Sequence, residues 1–390
     1  MSALDSLPEC GLKCLVEAIG AYSNCSVSDL TCSCPNKAVQ AAASTCVQRS
    51  CTIPEALTTQ NITNTLCGIL PHDDRPFFGI IWTFVAISLL LAVLRFVARI
   101  VNQNAMGWDD GLALGSAVLD TAFAIFFKLC VDLGVGLDLW AIPQDHIEHI
   151  LLLTWISLII YALSRCLIRV SISLFLLRIF RVPATRPFII ATLVLNLVVA
   201  IAFVFAIVFV CTPVPYFWTE WDGLHRGKCL DKWPLFLAAG IITTVLDVLL
   251  ILLPVGWISH LQFSRSKKIT TIIMFSLGAI VILTSIMRII SLNTFAHSSN
   301  FSRPLFVVGL WSALELYLAV ICACLPSLRP LFTLAKARIR GESKSGTRTT
   351  RTAEIYAAST PSKLQTKFNS NGIFDDEDGY PLKGIETRYH

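Results

Sequence analysis

Seven stretches of the chain are almost continuously apolar, at roughly 77–100, 111–132, 149–178, 187–211, 234–258, 269–293 and 304–325. Each is close to the length of about 20 residues that an α-helix needs to cross a bilayer, so the pattern predicts seven membrane-spanning helices. The polar segments between them are short and leave no room for a soluble catalytic domain. Pro183 and Pro187 mark the loop between the third and fourth helices, and Arg265, Lys267 and Lys268 lie between the fifth and sixth. Residues 1–72 and 336–390 have a different texture. The first alternates short amphipathic stretches with cysteines, and the second is polar throughout. The fold class is therefore all-α, with a small helical domain (1–72), a seven-helix transmembrane domain (77–335) and a disordered tail (336–390).

Composition agrees, with 55% hydrophobic residues, 15% charged residues and a mean hydropathy of +0.67, too apolar for a soluble domain. The basic residues set the orientation. Twelve of them (Arg95, Arg99, Arg178, Arg181, Arg186, Arg265, Lys267, Lys268, Arg329, Lys336, Arg338, Arg340) fall at one set of helix ends. Five (Arg75, Arg226, Lys228, Lys232, Arg303) fall at the other. The richer side is expected to be cytoplasmic, which places the N-terminus outside and the C-terminus inside, in the plasma membrane.

Eight cysteines crowd the first 67 residues: Cys10, Cys14, Cys25, Cys32, Cys34, Cys46, Cys51 and Cys67. An even, dense set in a short segment reads as a disulfide framework, and disulfides persist in an oxidising compartment. Zinc is a poor alternative, because the segment has no His before His72 and no repeated C-x2-C. Order alone leaves the pairing open. Leu12, Leu15, Val16, Ile19 and Tyr22 are spaced as one apolar helical stripe. Met1–Pro8 has neither a basic start nor an apolar core, so no cleavable signal peptide is expected there. Export would fall to the first membrane helix or to residues upstream of this start. Asn61 and Asn300 head glycosylation sequons on the expected outer face, and Asn24 heads a third that contains Cys25.

The cysteine spacing C-x3-C-x10-C-x6-C-x-C-x11-C-x4-C-x15-C, with Gly11 after the first cysteine and Asp29 between the third and fourth, resembles the CFEM domain of fungal extracellular and membrane proteins. Some CFEM domains bind haem through that aspartate. The resemblance thus implies Asp29 as an axial ligand to the iron, the only metal or cofactor site it suggests. A helix N-cap by Ser28 or Asp29 is the competing reading.

Residues 77–335 resemble the fungal rhodopsin-like seven-helix family, whose members include pathogenicity-type G-protein-coupled receptors. The resemblance rests on Arg95 and Arg99, on Trp108-Asp109-Asp110, on Gly134-Val-Gly136 and on Tyr161. It continues through Ser173–Phe180, Cys211, Pro213, Trp218, Cys229, Asp247, Pro254, Leu261-Gln262, Arg288, Glu315 and Cys322–Pro326. Where the family usually carries Lys in the third helix, this chain has Arg169. It implies a receptor for an unknown extracellular ligand, with a heterotrimeric G protein as its signalling partner. Two animal-receptor hallmarks are missing: no acidic residue precedes Arg178, and the seventh helix has no Asn-Pro-x-x-Tyr. The last helix, 304–325, has no lysine for a retinal Schiff base, which argues against light sensing.

Asp120, Arg165, Arg169, Asp247, Arg288 and Glu315 fall inside the apolar stretches. A lone charge at the bilayer centre costs about 2.5–3.5 kcal/mol even on the lenient scale, so these groups should face inward and pair. Arg165 or Arg169 is expected to meet Asp120, Asp247 or Glu315. Either a fixed packing network or a ligand-driven switch would use them, and a proton or ion path is a third reading. Lys128 is expected to snorkel. Cys211 and Cys229 bracket the largest outer loop and could bridge, with Cys130 as a competitor. Cys166 reads as a buried filler, and Cys322 and Cys324 as packing residues or palmitoylation sites. His146, Glu148 and His149 read as a solvated loop rather than a metal site. No nucleophile or catalytic constellation is found, so no enzyme and no nucleic-acid partner is expected.

Beyond the last helix, Leu331–Arg340 alternates apolar and basic residues like an amphipathic surface helix. Thr349, Thr350, Thr352 and Thr360 stand as phosphorylation candidates. Alternative functions are haem or iron capture with the helices as anchor or transporter, and surface adhesion.

Overall fold

A computed structural model describes residues 6–23, 25, 30–101, 107–179, 185–258, 265–298 and 300–339. Asp29, the Asn24 sequon, Arg181 and the candidate phosphorylation threonines lie outside the described residues. The remainder of the chain up to Leu334 forms one compact unit, separate from Ala335–His390.

The N-terminal domain consists of α1 (Glu9–Tyr22), α2 (Leu30–Ser33), α3 (Lys37–Ser50) and α4 (Ile53–Leu66). Four disulfides close it: Cys10–Cys51, Cys14–Cys46, Cys25–Cys32 and Cys34–Cys67. Its apolar core is small, built around Ala18, Ile19 and Val39, so cross-links carry much of the constraint. The buried face of α1 differs from the expected stripe. It runs Gly11, Cys14, Ala18 and Ile19, while Leu12, Val16 and Tyr22 are exposed. The bridging cysteines turn the helix, and small residues are then needed where it crosses α4. At Gly11 a Cβ would lie 2.2 Å from Thr59 Oγ1. Asn36 caps α3 by accepting from Ala38 and Val39. Thr52 and Glu55 form a capping box on α4, in which Glu55 accepts from the Thr52 N–H at 2.9 Å.

Seven longer helices follow: α5 (Gly79–Val101), α6 (Trp108–Asp132), α7 (Gln144–Ile179), α8 (Arg186–Val208), α10 (Lys232–Ile258), α11 (Arg265–Ala296) and α12 (Ser302–Ile339). All seven contain segments long and apolar enough to cross a membrane. The expected spans lie within these helices or overrun them by a few residues, but α7, α11 and α12 extend well past the apolar stretches. His146 and His149 consequently stand on the first turns of α7, not in a loop. The stretch 331–339 continues α12 without a break.

Between α8 and α10, strand β1 (Cys211–Thr212) pairs antiparallel with β2 (Lys228–Cys229), flanking the short α9 (Tyr216–Thr219). The Cys211–Cys229 disulfide locks this hairpin, and Cys130 is buried and unbridged. Cys324 is fully buried against Ala92 and Val320, which removes it as an acylation site.

The disulfide domain is latched onto one end of the bundle. Gln144 Nε2 donates to Pro54 O at 2.7 Å and to Thr58 Oγ1 at 2.9 Å. The His72 N–H donates to Asp138 Oδ2 at 2.9 Å, and Arg303 pairs with Asp74 at 3.0 Å. Gly136 has φ +103°, open to glycine but strained for other residues, and its N–H meets Ser302 Oγ while its carbonyl accepts from Asp74. Beside this latch, the Arg75 guanidinium holds the Asp73 carboxyl below the usual carboxylate range.

Candidate functional site

A chamber of about 750 Å³ opens within the bundle, bounded by α6, α7, α8, α10, α11 and α12. Its size falls within the roughly 300–1,000 Å³ of ligand pockets. The walls are mainly aliphatic and aromatic, with Phe123, Phe127, Phe203, Phe236 and Phe295 contributing. Near the disulfide domain it is bordered by Trp221, Trp233, Phe301 and Ile53, the last belonging to α4 of that domain. Lys232 and Glu220 form an ion pair at this border, with the ammonium 4.9 Å from the centre of the Phe217 ring. The hairpin above is fixed by the Trp155 indole, which donates to Ile207 O and lies 5.6 Å from the Trp218 ring.

Deeper in the bundle, Tyr161, Arg165 and Arg169 line the chamber from one face of α7, four residues apart. Arg165 reaches Asp247 on α10 at 2.5 Å and also pairs with Glu315 on α12. Arg169 meets Asp247 at 2.8 Å and donates to the Thr243 carbonyl at 2.7 Å. Tyr161 Oη accepts from Arg165 at 2.9 Å and donates to Glu315 at 2.6 Å. Ser285 on α11 also donates to Glu315. Arg288, one turn further along α11, sits 3.3 Å from Glu315 and lies over the Tyr161 ring at 5.1 Å. Four helices are thus joined by five charged side chains. All five are buried or nearly so.

Of the six intramembrane charges, five assemble here and Asp120 does not. Asp120 is fully buried, accepts from Ser164, and has no basic partner among the described residues. One of its carboxylate oxygens makes no hydrogen bond. The geometric reason is position. Asp120 faces α7 at Ser164, one residue before Arg165 and hence about 100° round the helix from it. Lys128 pairs with Asp132 one turn on.

A second polar cluster lies at the opposite end of the bundle from the disulfide domain. Arg95, 2% exposed, donates to Asp110 and Asp109 at 2.8 Å each and to the Ala323 carbonyl at 2.5 Å. Arg99 adds a 3.1 Å contact to Asp110, and Arg178 stands 3.6 Å from Asp109. Reading Arg95 only as an end-of-helix cation missed this, although the Asp109-Asp110 pair close behind it in the sequence was the available signal.

His146 Nδ1 faces the Leu133 carbonyl and His149 is exposed, so the two make no shared site. Cys211, Glu220 and Cys229 cluster closely, but both sulfurs are spent in the disulfide. Asn61 is exposed on α4, whereas the Asn300 amide nitrogen donates to Asp138 at 2.9 Å.

A family model described as the fungal rhodopsin domain matches residues 94–334. The chain belongs to that family. In this fungal rhodopsin-domain protein, residues 3–68 also match the CFEM domain. It is similar to the wortmanamides biosynthesis cluster protein C of Talaromyces wortmannii, 25% identical over 268 residues, covering 66% of this chain and 71% of the relative. It is also similar to the receptor GIN3 of Arthrobotrys oligospora, 25% identical over 278 residues, covering 68% and 65%. A SAT4 family membrane protein of Emericella nidulans is 26% identical over 252 residues, covering 62% and 60%. The match therefore spans roughly three fifths to seven tenths of these relatives. No solved structure matches. The fungal rhodopsin-domain protein is a multi-pass membrane protein with a disulfide-bonded CFEM domain.

Proposed function

We propose that this protein is a plasma-membrane receptor with the CFEM domain outside and the C-terminal tail inside. A small extracellular cue would enter the chamber and signal through the helix ends at the inner face. One observation carries this reading. The charged floor of the chamber ties α7, α10, α11 and α12 together, so an occupant touching Arg165, Arg169 or Arg288 bears on four helices at once. Such a network has alternative pairings of similar chemistry, which is what a two-state element needs. The excess of basic residues at the inner helix ends and the disulfides of the domain support the orientation. Similarity to a protein named as a receptor supports the class. A heterotrimeric G protein is the partner the reading assigns to the inner face.

Hydrogen exchange on the full chain in nanodiscs tests it. Ligand added from the outer side should alter exchange at 250–258 and 265–276, and Glu315→Gln should abolish that remote change. Occupancy of the chamber that leaves these segments unaltered would overturn the receptor reading.

A further inference from the structure

The chamber is apolar over most of its wall and charged at one end, and the charge there is unbalanced. Arg165, Arg169 and Arg288 all line it, while Asp247 and Glu315 stand behind them and border a separate small void of about 50 Å³. Three guanidiniums thus share two carboxylates, and no other acid among the described residues reaches them. Lys232 and Glu220, at the far border, neutralise each other.

The partners are unevenly divided. Arg165 and Arg169 are each held by short bonds to Asp247, with Glu315 or a backbone carbonyl completing the set. Arg288 is more than nine-tenths buried, yet its Nε, 3.3 Å from Glu315, is out of hydrogen-bond alignment with it, and its Nη2 reaches the Thr243 hydroxyl only at 3.4 Å. A buried cation so weakly satisfied is costly, and an anion beside it removes that cost. The guanidinium fork suits a carboxylate held by two parallel bonds. The lining along α7 runs from Leu151 to Arg169, about 27 Å at 1.5 Å per residue, so the space is elongated.

We propose that the chamber binds an amphiphilic organic acid, its carboxylate on Arg288 beside Arg165 and Arg169 and its apolar chain directed toward Ile53 and the CFEM domain. This deepens the receptor reading and rests on it for the consequence of binding, but not for binding itself.

The test uses full-length protein in detergent and a fluorescent probe, dansyl-undecanoic acid, displaced by three competitors of equal chain length. Dodecanoic acid should displace the probe at least tenfold more effectively than methyl dodecanoate or dodecyltrimethylammonium. Arg288→Gln should weaken dodecanoic acid at least tenfold and leave the ester unchanged. Equal competition by acid and ester in the wild-type protein would overturn the proposal without any variant. So would chloride displacing the probe as well as the acid does, since that marks a site for the charge alone. Hydrogen exchange separates the two readings. Acid binding with no change at 250–258 and 265–276 sinks the receptor and keeps the ligand class. A remote change driven by a neutral compound, with the acid inert, does the reverse.

Discussion

Glu315 is the most heavily shared side chain in the floor, meeting Arg165, Arg288, Tyr161 and Ser285. Glu315→Gln leaves buried guanidiniums short of charge, and breaking such a pair typically costs about 3–5 kcal/mol. Tyr161→Phe removes only neutral-to-charged hydrogen bonds and should cost about 1 kcal/mol, as such bonds do between membrane helices. Melting temperatures of the purified variants in one detergent should fall in that order, and a reversed order would refute the assignment of partners. Asp120→Asn is expected to preserve or raise the melting temperature, because Asp120 has no cation to lose. The need for charges to pair in a membrane made the five-residue floor legible in the sequence. What it could not supply was rotation about each helix axis, which excluded Asp120 and admitted Tyr161. That rotation is set by packing across helices, and a single chain's hydropathy does not encode it.

At the scale of elements, hydropathy located the section of each helix that matches a bilayer, not the helix. α12 has 38 residues, or about 57 Å at 1.5 Å per residue, roughly twice a 30 Å hydrocarbon core. The surplus turns of α12 intersperse Arg329, Lys336 and Arg338 among apolar residues, which breaks the continuous apolar run that marks a span. In the CFEM domain the cysteines were legible but the packing face of α1 was not, since it runs Gly11, Cys14, Ala18 and Ile19, with Gly11 demanded by the close crossing at Thr59. Gly11→Val should therefore destabilise the domain, and Thr59→Ala in the same chain should partly restore it. Proteolysis of the domain in the intact protein measures both. The start of α4 carries a pH dependence of definite sign. The bond from the Thr52 N–H holds Glu55 below its usual value of 4.5, so the capping contribution is complete above that pH. It is lost as pH falls through the lowered value. Hydrogen exchange in the first turn of α4 should rise on acidification, and Glu55→Gln should remove the dependence.

For the whole molecule, order depends on a few long-range ties at the domain end: Cys211–Cys229, Asn300 to Asp138, and Gln144 to α4. The Cys211–Cys229 bridge closes a loop of sequence separation 18, for which chain entropy gives about 3 kcal/mol. Cys211→Ser/Cys229→Ser should lower the melting temperature accordingly and loosen the border around Trp221. An unchanged melting temperature would show the hairpin held by packing alone. Ile53 has a different consequence. Ile53 is half-exposed and forms part of the chamber wall, so the disulfide domain borders one way out of the chamber. Under the binding proposed above, residence time and affinity would rest on separate parts of the chain. The charged floor would then set how tightly the proposed acid is held, and the bordering domain how quickly it leaves. The receptor proposed above, built this way, would keep reporting a brief pulse after the outside concentration has fallen.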